Sequence, residues 1–148
     1  MATVTSGRVV YIEAKRDKMD VPKGMNMNVN VEDVAANKDE ITVQYLFTVT
    51  YNENIGSIKI RGVMHAKEDA KRAKEIAKEW KENKKLPDDF VELIMNYVSY
   101  VGGVAGTFFS QPLGLNAPLM LMPIRVKPPE GPAPQLQAPM KAEKEKAA

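Results

Sequence analysis

Hydrophobic and polar residues alternate along the first half of the chain with the period of a β-strand. Met25–Glu32 alternates without a fault, and Ile41–Tyr51 repeats the pattern with β-branched or aromatic residues at every second position. Val9–Lys15 and Ser57–Ala66 are also rich in strand-forming residues, and turn residues near Gly56 precede the latter. Because strands joined by short turns pair antiparallel, the pattern predicts an antiparallel sheet of about four strands with one buried face.

The second half of the chain changes to helical periodicity. In Lys67–Lys85, alanines recur at spacings of three and four while lysines and glutamates fill the other positions, which predicts a charged helix with one face against the protein. Asp88 and Asp89 follow Pro87 and are typical of a helix start. The helix that they open is apolar nearly all round and extends to Ser110. We expect it to pack on the sheet face that carries Ile41, Val43, Tyr45 and Phe47, giving an α+β fold.

No side chain from Leu93 to Ile124 is charged, in a chain that is 27% charged overall. Such a stretch must be shielded from water by its own core, by a partner or by lipid. The spacing of Gly102 and Gly106 allows another backbone to approach closely, a pattern best known from membrane helices. Glu92 and the neighbouring polar residues and glycines lower the hydropathy of the segment. The sequence therefore favours burial at a helix–helix or subunit interface over a transmembrane anchor.

The apolar helix carries two stripes, and one small sheet cannot bury both. The first stripe consists of Phe90, Ile94, Tyr97, Val101, Val104 and Phe108. An exposed second stripe would aggregate, so we predict a homo-oligomer that buries it between subunits. The predicted oligomer interface consists of Val91, Met95, Val98, Gly102, Gly106 and Phe109.

The segment Gln111–Ile124 is conspicuously apolar for a loop. Its prolines remove backbone donors and exclude a continued helix, so an extended or looped chain is expected. Two interpretations are equally good: the segment covers the domain's own sheet, or it binds an unfolded chain. The client-binding candidates are Leu113, Leu115, Leu119, Met120, Leu121 and Met122. Beyond Lys127 the Pro-, Ala-, Lys- and Glu-rich composition is typical of disorder. We therefore predict one domain, 1–127, and a disordered tail, 128–148.

Composition offers little chemistry to an enzyme. The chain has no cysteine, one histidine and a net charge of +2. These numbers exclude thiol chemistry and a Cys-based metal site, and they provide no broad basic field for nucleic acid. No catalytic, cofactor-binding or metal-binding residues are predicted, and we expect a non-enzyme. The N-terminal sequence lacks a secretory pattern, which predicts a cytoplasmic location. The Lys/Glu richness is typical of thermophilic proteins.

Two stretches resemble the SecB family of export chaperones and its archaeal relatives. They are ITVQYLFTVTYNENIGSIKIRGVMHA, and the block from Leu86 to Ile124. In the family a strand pair ending in a Gly-apolar segment precedes a long helix and a short proline- and leucine-rich lid; Gly62–Met64 and Pro112–Pro123 stand in the matching places. The C-terminal helix and the motor-binding tail of bacterial members have no counterpart, and Lys67–Lys85 looks inserted.

The resemblance implies an ATP-independent holdase that binds unfolded or non-native polypeptides, and it suggests a link to protein export. Methionines in the apolar segment suit this role because flexible thioethers adapt to varied partners. The alternative from another class is a structural or adaptor subunit that docks permanently into one larger assembly through the same segment. A broad client range would indicate the chaperone, and a single partner would indicate the adaptor.

Overall fold

A computed structural model describes residues 2–118, which form an antiparallel sheet and two helices. The predicted α+β class is thereby confirmed. The elements in chain order are β1 (Thr3–Arg16), β2 (Met25–Asn37), β3 (Glu40–Tyr51), a short 3-10 turn (Asn52–Asn54), β4 (Gly56–Lys67), α1 (Ala70–Asn83) and α2 (Asp88–Ser110). The predicted tail 128–148 lies outside the described residues.

The strands lie in the order β1-β4-β3-β2, and every pair is antiparallel. Strands β2, β3 and β4 follow one another through tight turns, as the turn residues indicate. The segment between Arg16 and Met25 then carries the chain from one edge of the sheet to the other, which makes the topology a Greek key. The register of each edge strand also shifts, at Val4/Ser6 and Val9/Tyr11 in β1 and at Val31/Asp33 in β2.

One face of the sheet forms the core. Every second residue of β3 is fully buried, and β4 contributes the same alternation. This burial agrees with the period-two pattern, because successive strand residues point to opposite faces. The fully buried side chains of these two strands are Ile41, Val43, Tyr45, Phe47, Val49, Tyr51, Ile58, Ile60, Met64 and Ala66.

Helix α1 covers the β2 side of this core face. It begins later than the sequence suggests, because β4 continues to Lys67 and the Asp69 side chain accepts hydrogen bonds from the first backbone amides of the helix. Lys84 ends it in a left-handed conformation, with φ of 55°. The Arg72 guanidinium then joins the helices, since Nη2 donates to Asp89 of α2 at 2.6 Å and Nη1 to Glu68 at 2.9 Å.

Helix α2 crosses the same face of the sheet and lies close to it. The ring of Tyr97 meets Tyr45 edge-on at 6.5 Å between centroids. Gly102 lies over the ring of Phe47, and a Cβ added at this position would be 2.7–2.8 Å from the ring carbons. The glycine therefore lets the helix backbone approach an aromatic side chain of the central strand, which brings the C-terminal half of α2 to one end of the sheet.

Candidate polypeptide-binding surface

The end of the sheet where β3 turns into β4 brings three segments together: the connection after β1, the end of α2 and the segment that follows α2. The connection after β1 is held there by the amides of Asp17 and Lys18, which donate to the carbonyl of Ile55 at 2.7 and 3.2 Å. The chain that leaves α2 reaches the same end, where the Tyr51 hydroxyl donates to the carbonyl of Asn116. Consequently, the connection after β1, the segment 111–118 and the end of α2 form one surface.

Arg16 organises this surface. Its guanidinium donates to two carbonyls of the segment after α2, those of Leu113 at 2.8 Å and Gly114 at 3.2 Å. It also donates to three carbonyls of the connection after β1, at 2.8–3.1 Å: Lys18, Met19 and Asp20. A guanidinium has five N–H donors in a rigid planar arrangement, so one side chain can hold both segments in a defined relation.

The C-terminal half of α2 exposes a row of large apolar side chains. Tyr100 and Phe108 are each 73% exposed, and Val104, one turn from each, is 56% exposed. We call these three residues the α2 ridge. Phe109 packs edge-on against Phe108, at 5.4 Å between ring centroids. A cavity of about 510 Å³ opens beside the ridge and is lined by Val104, Thr107, Phe108, Gln111 and Pro112. It is large and apolar enough to accept a side chain from another polypeptide.

The connection after β1 adds further exposed apolar side chains. Met19 and Val21 are 86% and 81% exposed, and Met27 at the start of β2 is partly exposed. Single exposed apolar residues are ordinary on protein surfaces. Here, however, unbranched methionines and a helical row of large apolar residues belong to segments that come together at one end of the sheet. Such a surface is typical of protein–protein interaction sites.

The structure describes two of the six client-binding candidates. Leu115 is 7% exposed and belongs to the hydrophobic core, and Leu113 is half-buried against it. A client could reach Leu113 without rearrangement, whereas Leu115 covers the domain's own sheet. Leu119, Met120, Leu121 and Met122 lie outside the described residues, so their role in client binding stays a prediction.

The six candidates for the oligomer interface are divided in the structure. Val98, Gly102 and Gly106 are buried within the chain, where Gly102 meets Phe47 and Gly106 meets Pro118. The half-buried Val91 and Met95 and the partly exposed Phe109 remain accessible to a second subunit. An interface along this helix would therefore use only half of the predicted stripe, and the oligomer itself stays a prediction.

Sequence reasoning missed the α2 ridge because the buried face moves around the helix. In the first half of α2 the buried line contains Phe90 and Ile94, and in the second half it contains Val98, Gly102 and Gly106. Val104 and Phe108 share a heptad stripe with Phe90 but lie beyond this shift and point to solvent. The sequence feature that indicates the ridge is Tyr100. It stands one turn before Val104 and is the only residue of the α2 ridge outside both predicted stripes.

Elsewhere among residues 2–118, two buried polar atoms, the Tyr45 hydroxyl and Trp80 Nε1, have no hydrogen-bond partner. His65 Nδ1 lies 3.0 Å from the Thr42 hydroxyl on the neighbouring strand. Burial raises the pKa of Tyr45 to about 12, so its hydroxyl is protonated throughout the physiological range. Within residues 2–118, no group of three or more acidic or histidine side chains is placed to hold a metal ion. Neither described helix has the length and hydropathy needed to cross a bilayer.

Comparison with solved structures shows what this arrangement resembles. The SecB-like chaperone Rv1957 of Mycobacterium tuberculosis, solved in complex with a ChAD peptide from the Rv1956 HigA1 antitoxin, matches with a TM-score of 0.54. The alignment covers 83% of this chain and 87% of that chain. The fold is SecB-like. Sequence identity over the match is 10%, so the likeness concerns the fold alone.

Sequence comparisons do not extend this likeness beyond the fold. No model of a known protein family matches the chain, and no curated protein matches it. The resemblance to the SecB family at Ile41–Ala66 and from Leu86 onward agrees with the observed fold, because these stretches supply β3, β4 and α2.

Proposed function

We propose that this protein binds unfolded or non-native polypeptides without ATP, as a SecB-like holdase. The observation that carries the proposal is the α2 ridge, where Tyr100, Val104 and Phe108 are exposed along one line of a helix. Leaving such side chains in water is unfavourable by about 25 cal/mol per Å² of apolar area. An apolar segment of a non-native chain would cover them, which makes its binding favourable without any covalent chemistry.

Two further observations support a polypeptide as the ligand. The cavity beside the ridge has an apolar lining with only Thr107 and Gln111 as polar residues, which suits a side chain rather than a charged metabolite. In addition, the SecB-like chaperone that shares the fold was solved with a peptide from a partner protein. The exposed Met19 can adapt its shape to different side chains, as a binding site for varied clients requires.

We also propose that the chain forms a homo-oligomer through the accessible part of α2. Val91 and Met95 are half-buried in the single chain and would become fully buried against a second copy. An oligomer would place several α2 ridges in one particle, and a long client could engage them together with higher avidity. Cytoplasmic location and a link to protein export stay predictions from the sequence.

Suppression of aggregation tests the proposed function. Val104→Ser/Phe108→Ser removes two exposed side chains of the ridge, and truncating an interface anchor typically costs about 1 kcal/mol or more. The double variant should therefore suppress aggregation of an unfolding client at least about tenfold less effectively than the wild type. Its thermal stability should be nearly unchanged, because both side chains point to solvent.

The matched control is Val10→Ser/Tyr11→Ser, which removes two exposed apolar side chains from β1, outside the α2 surface. This control should retain full activity. Equal losses in both variants would indicate nonspecific apolar contact and contradict the assignment of the site. If the wild type bound only one partner and no unfolded chain, the adaptor function would replace the chaperone function.

A further inference from the structure

A second groove lies between α1 and the end of β2, away from the α2 ridge. Its volume is about 490 Å³. Apolar atoms come from both elements, with Val34 and Ala35 on β2 and Ala77 and Trp80 on α1. The charged residues that line the groove are Asp33, Lys74, Lys78, Lys81 and Lys84. Four lysines against one aspartate make this an apolar floor with a strongly basic rim.

The helix separates its charges so that lysine faces the groove. At about 100° per residue, Lys74, Lys78 and Lys81 fall within an arc of about 60° on α1. The three glutamates that alternate with them in the sequence fall on the adjoining arc: Glu75, Glu79 and Glu82. None of these glutamates lines the groove in the part of the chain that the structure describes. Charges that are interleaved in sequence are thus segregated in space.

The groove lysines have no ion-pair partner among residues 2–118. The surface ion pairs of the described chain involve other cations, such as Lys67 with Asp39 and Arg61 with Glu32. Lys84 instead lies over the ring of Trp80, with Nζ 5.0 Å from the ring centroid. No ion pair within this part of the protein therefore engages the groove lysines, although Asp33 and the glutamates of the adjoining face reduce the positive field.

We propose that this groove binds an acidic segment of another polypeptide that carries an apolar side chain among its carboxylates. The carboxylates would pair with Lys74, Lys78 and Lys81, and the apolar side chain would cover the floor at Ala77 and Trp80. This inference does not depend on the α2 ridge, which has no lysine, so either site can fail without the other. It adds a preference for acidic sequences to a protein whose net charge is only +2.

A polypeptide suits the groove better than nucleic acid. A phosphate backbone that extended beyond the lysines would meet the carboxylates of Glu75, Glu79 and Glu82 on the adjoining face of α1, and Asp33 on the β2 side. Nucleic-acid affinity relies on many phosphate contacts over a continuous basic surface. A short acidic segment needs only the local patch.

The single tryptophan of the chain, Trp80, provides a direct readout at the groove. The probe is a 12-residue synthetic peptide of glutamate and alanine with one central leucine. Titration into the full-length protein should shift the Trp80 emission, and the affinity should fall as salt is raised. The same peptide with lysine in place of glutamate should not bind.

Charge reversal locates the site. Lys78→Glu/Lys81→Glu should weaken the acidic peptide at least about tenfold, because two attractions become repulsions of roughly similar size. The matched control is Lys71→Glu/Lys85→Glu, which makes the same change in net charge outside the groove and should have a much smaller effect. Circular dichroism should show that both variants keep their helix content.

Several results would overturn the proposal. Equal weakening in the two double variants would assign binding to the overall field of the protein. Tighter binding of a 12-nucleotide oligothymidylate at the same lysines would assign the groove to nucleic acid. If the Trp80 emission of Glu143→Lys/Glu145→Lys differed from that of the wild type with no peptide added, the groove would be assigned to the chain's own C-terminal residues. If the particle formed by Lys78→Glu/Lys81→Glu in solution had a smaller mass than that of the wild type, the groove would be assigned to a second copy of this chain.

Discussion

The close contact between Gly102 and the ring of Phe47 gives a prediction whose sign is informative. Replacing glycine with alanine in the middle of a helix normally stabilises the helix by about 1 kcal/mol, because alanine restricts the unfolded chain and favours helical backbone. At Gly102 the new methyl group would be 2.7 Å from Cδ1 of Phe47 and 2.8 Å from Cε1 and Cγ. Ordinary van der Waals contact between carbons requires roughly 3.5 Å or more.

The magnitude follows from how little room the ring has. Phe47 is 1% exposed in the centre of β3, so it cannot turn away into solvent. The helix or the ring must move by more than about half an ångström, and overpacking of this kind typically costs about 1–3 kcal/mol. Subtracting the gain in helix propensity of about 1 kcal/mol leaves a net loss of about 0–2 kcal/mol for Gly102→Ala.

Urea unfolding measures this change, with the fluorescence of Trp80 on α1 and the far-ultraviolet circular dichroism as two probes. Gly102→Ala should lower the urea midpoint without a large change in the slope of the transition. Phe47→Leu should lose stability by itself but make room for the methyl group. In the double variant the effect of Gly102→Ala should therefore become smaller or change sign, and a double-mutant cycle measures the coupling.

The result that would refute the reasoning is a more stable Gly102→Ala protein with Phe47 intact. Helix propensity would then dominate, and α2 could not lie as close to the sheet as the structure places it. An unchanged effect in the Phe47→Leu background would also contradict the contact, because it would mean that another neighbour limits the space at Gly102.

Two further predictions concern the contacts that join the elements. The hydrogen bond from Arg72 lowers the pKa of Asp89, so the pair contributes stability above the unfolded pKa of this carboxyl group, and the contribution is lost as the pH falls through the folded value. Asp89→Asn should therefore be less stable than the wild type at neutral pH, by under about 1 kcal/mol because the site is partly exposed. The unfolding midpoints of the two proteins should converge in acid. A constant difference at every pH would contradict the prediction. Arg16→Met keeps an unbranched side chain as far as the position of Nε but removes the guanidinium and its hydrogen bonds to five carbonyls. Unfolding should therefore require about 1–3 kcal/mol less, and hydrogen exchange should accelerate at the amide of Asp17. Unaltered exchange there would show that Arg16 does not hold the connection.

Strand positions could be predicted from the sequence because the sheet has one buried face. In Ile41–Tyr51 every second residue faces the core, and the structure gives β3 as Glu40–Tyr51. Pro87 and the carboxylates after it likewise predicted a helix start, with the helix taken as Pro87–Ser110, and α2 begins at Asp88. Both features are local, since a strand's alternation and a helix's first turn depend on neighbouring residues.

The rest of the architecture depends on contacts between distant residues. No local pattern shows that β1 pairs with β4 across the sheet, or that Arg16 reaches Leu113 on the segment after α2. The burial of α2 could not be read from a single periodicity either, because its buried line moves around the helix, from Phe90 and Ile94 to Val98, Gly102 and Gly106. Phe108 therefore points to solvent although Phe90, on the same stripe, is buried.

The central claim is that the α2 ridge binds non-native polypeptide, and a binding titration tests it most directly. A fluorescently labelled client that is kept unfolded by reduction and alkylation, and the same client in its folded form, are titrated with the protein while anisotropy is recorded. The account predicts that the wild type binds the unfolded form selectively and that Val104→Ser/Phe108→Ser, at unchanged stability, binds it at least about tenfold more weakly. Equal affinity of the variant and the wild type, or binding of the folded form alone, would contradict the account.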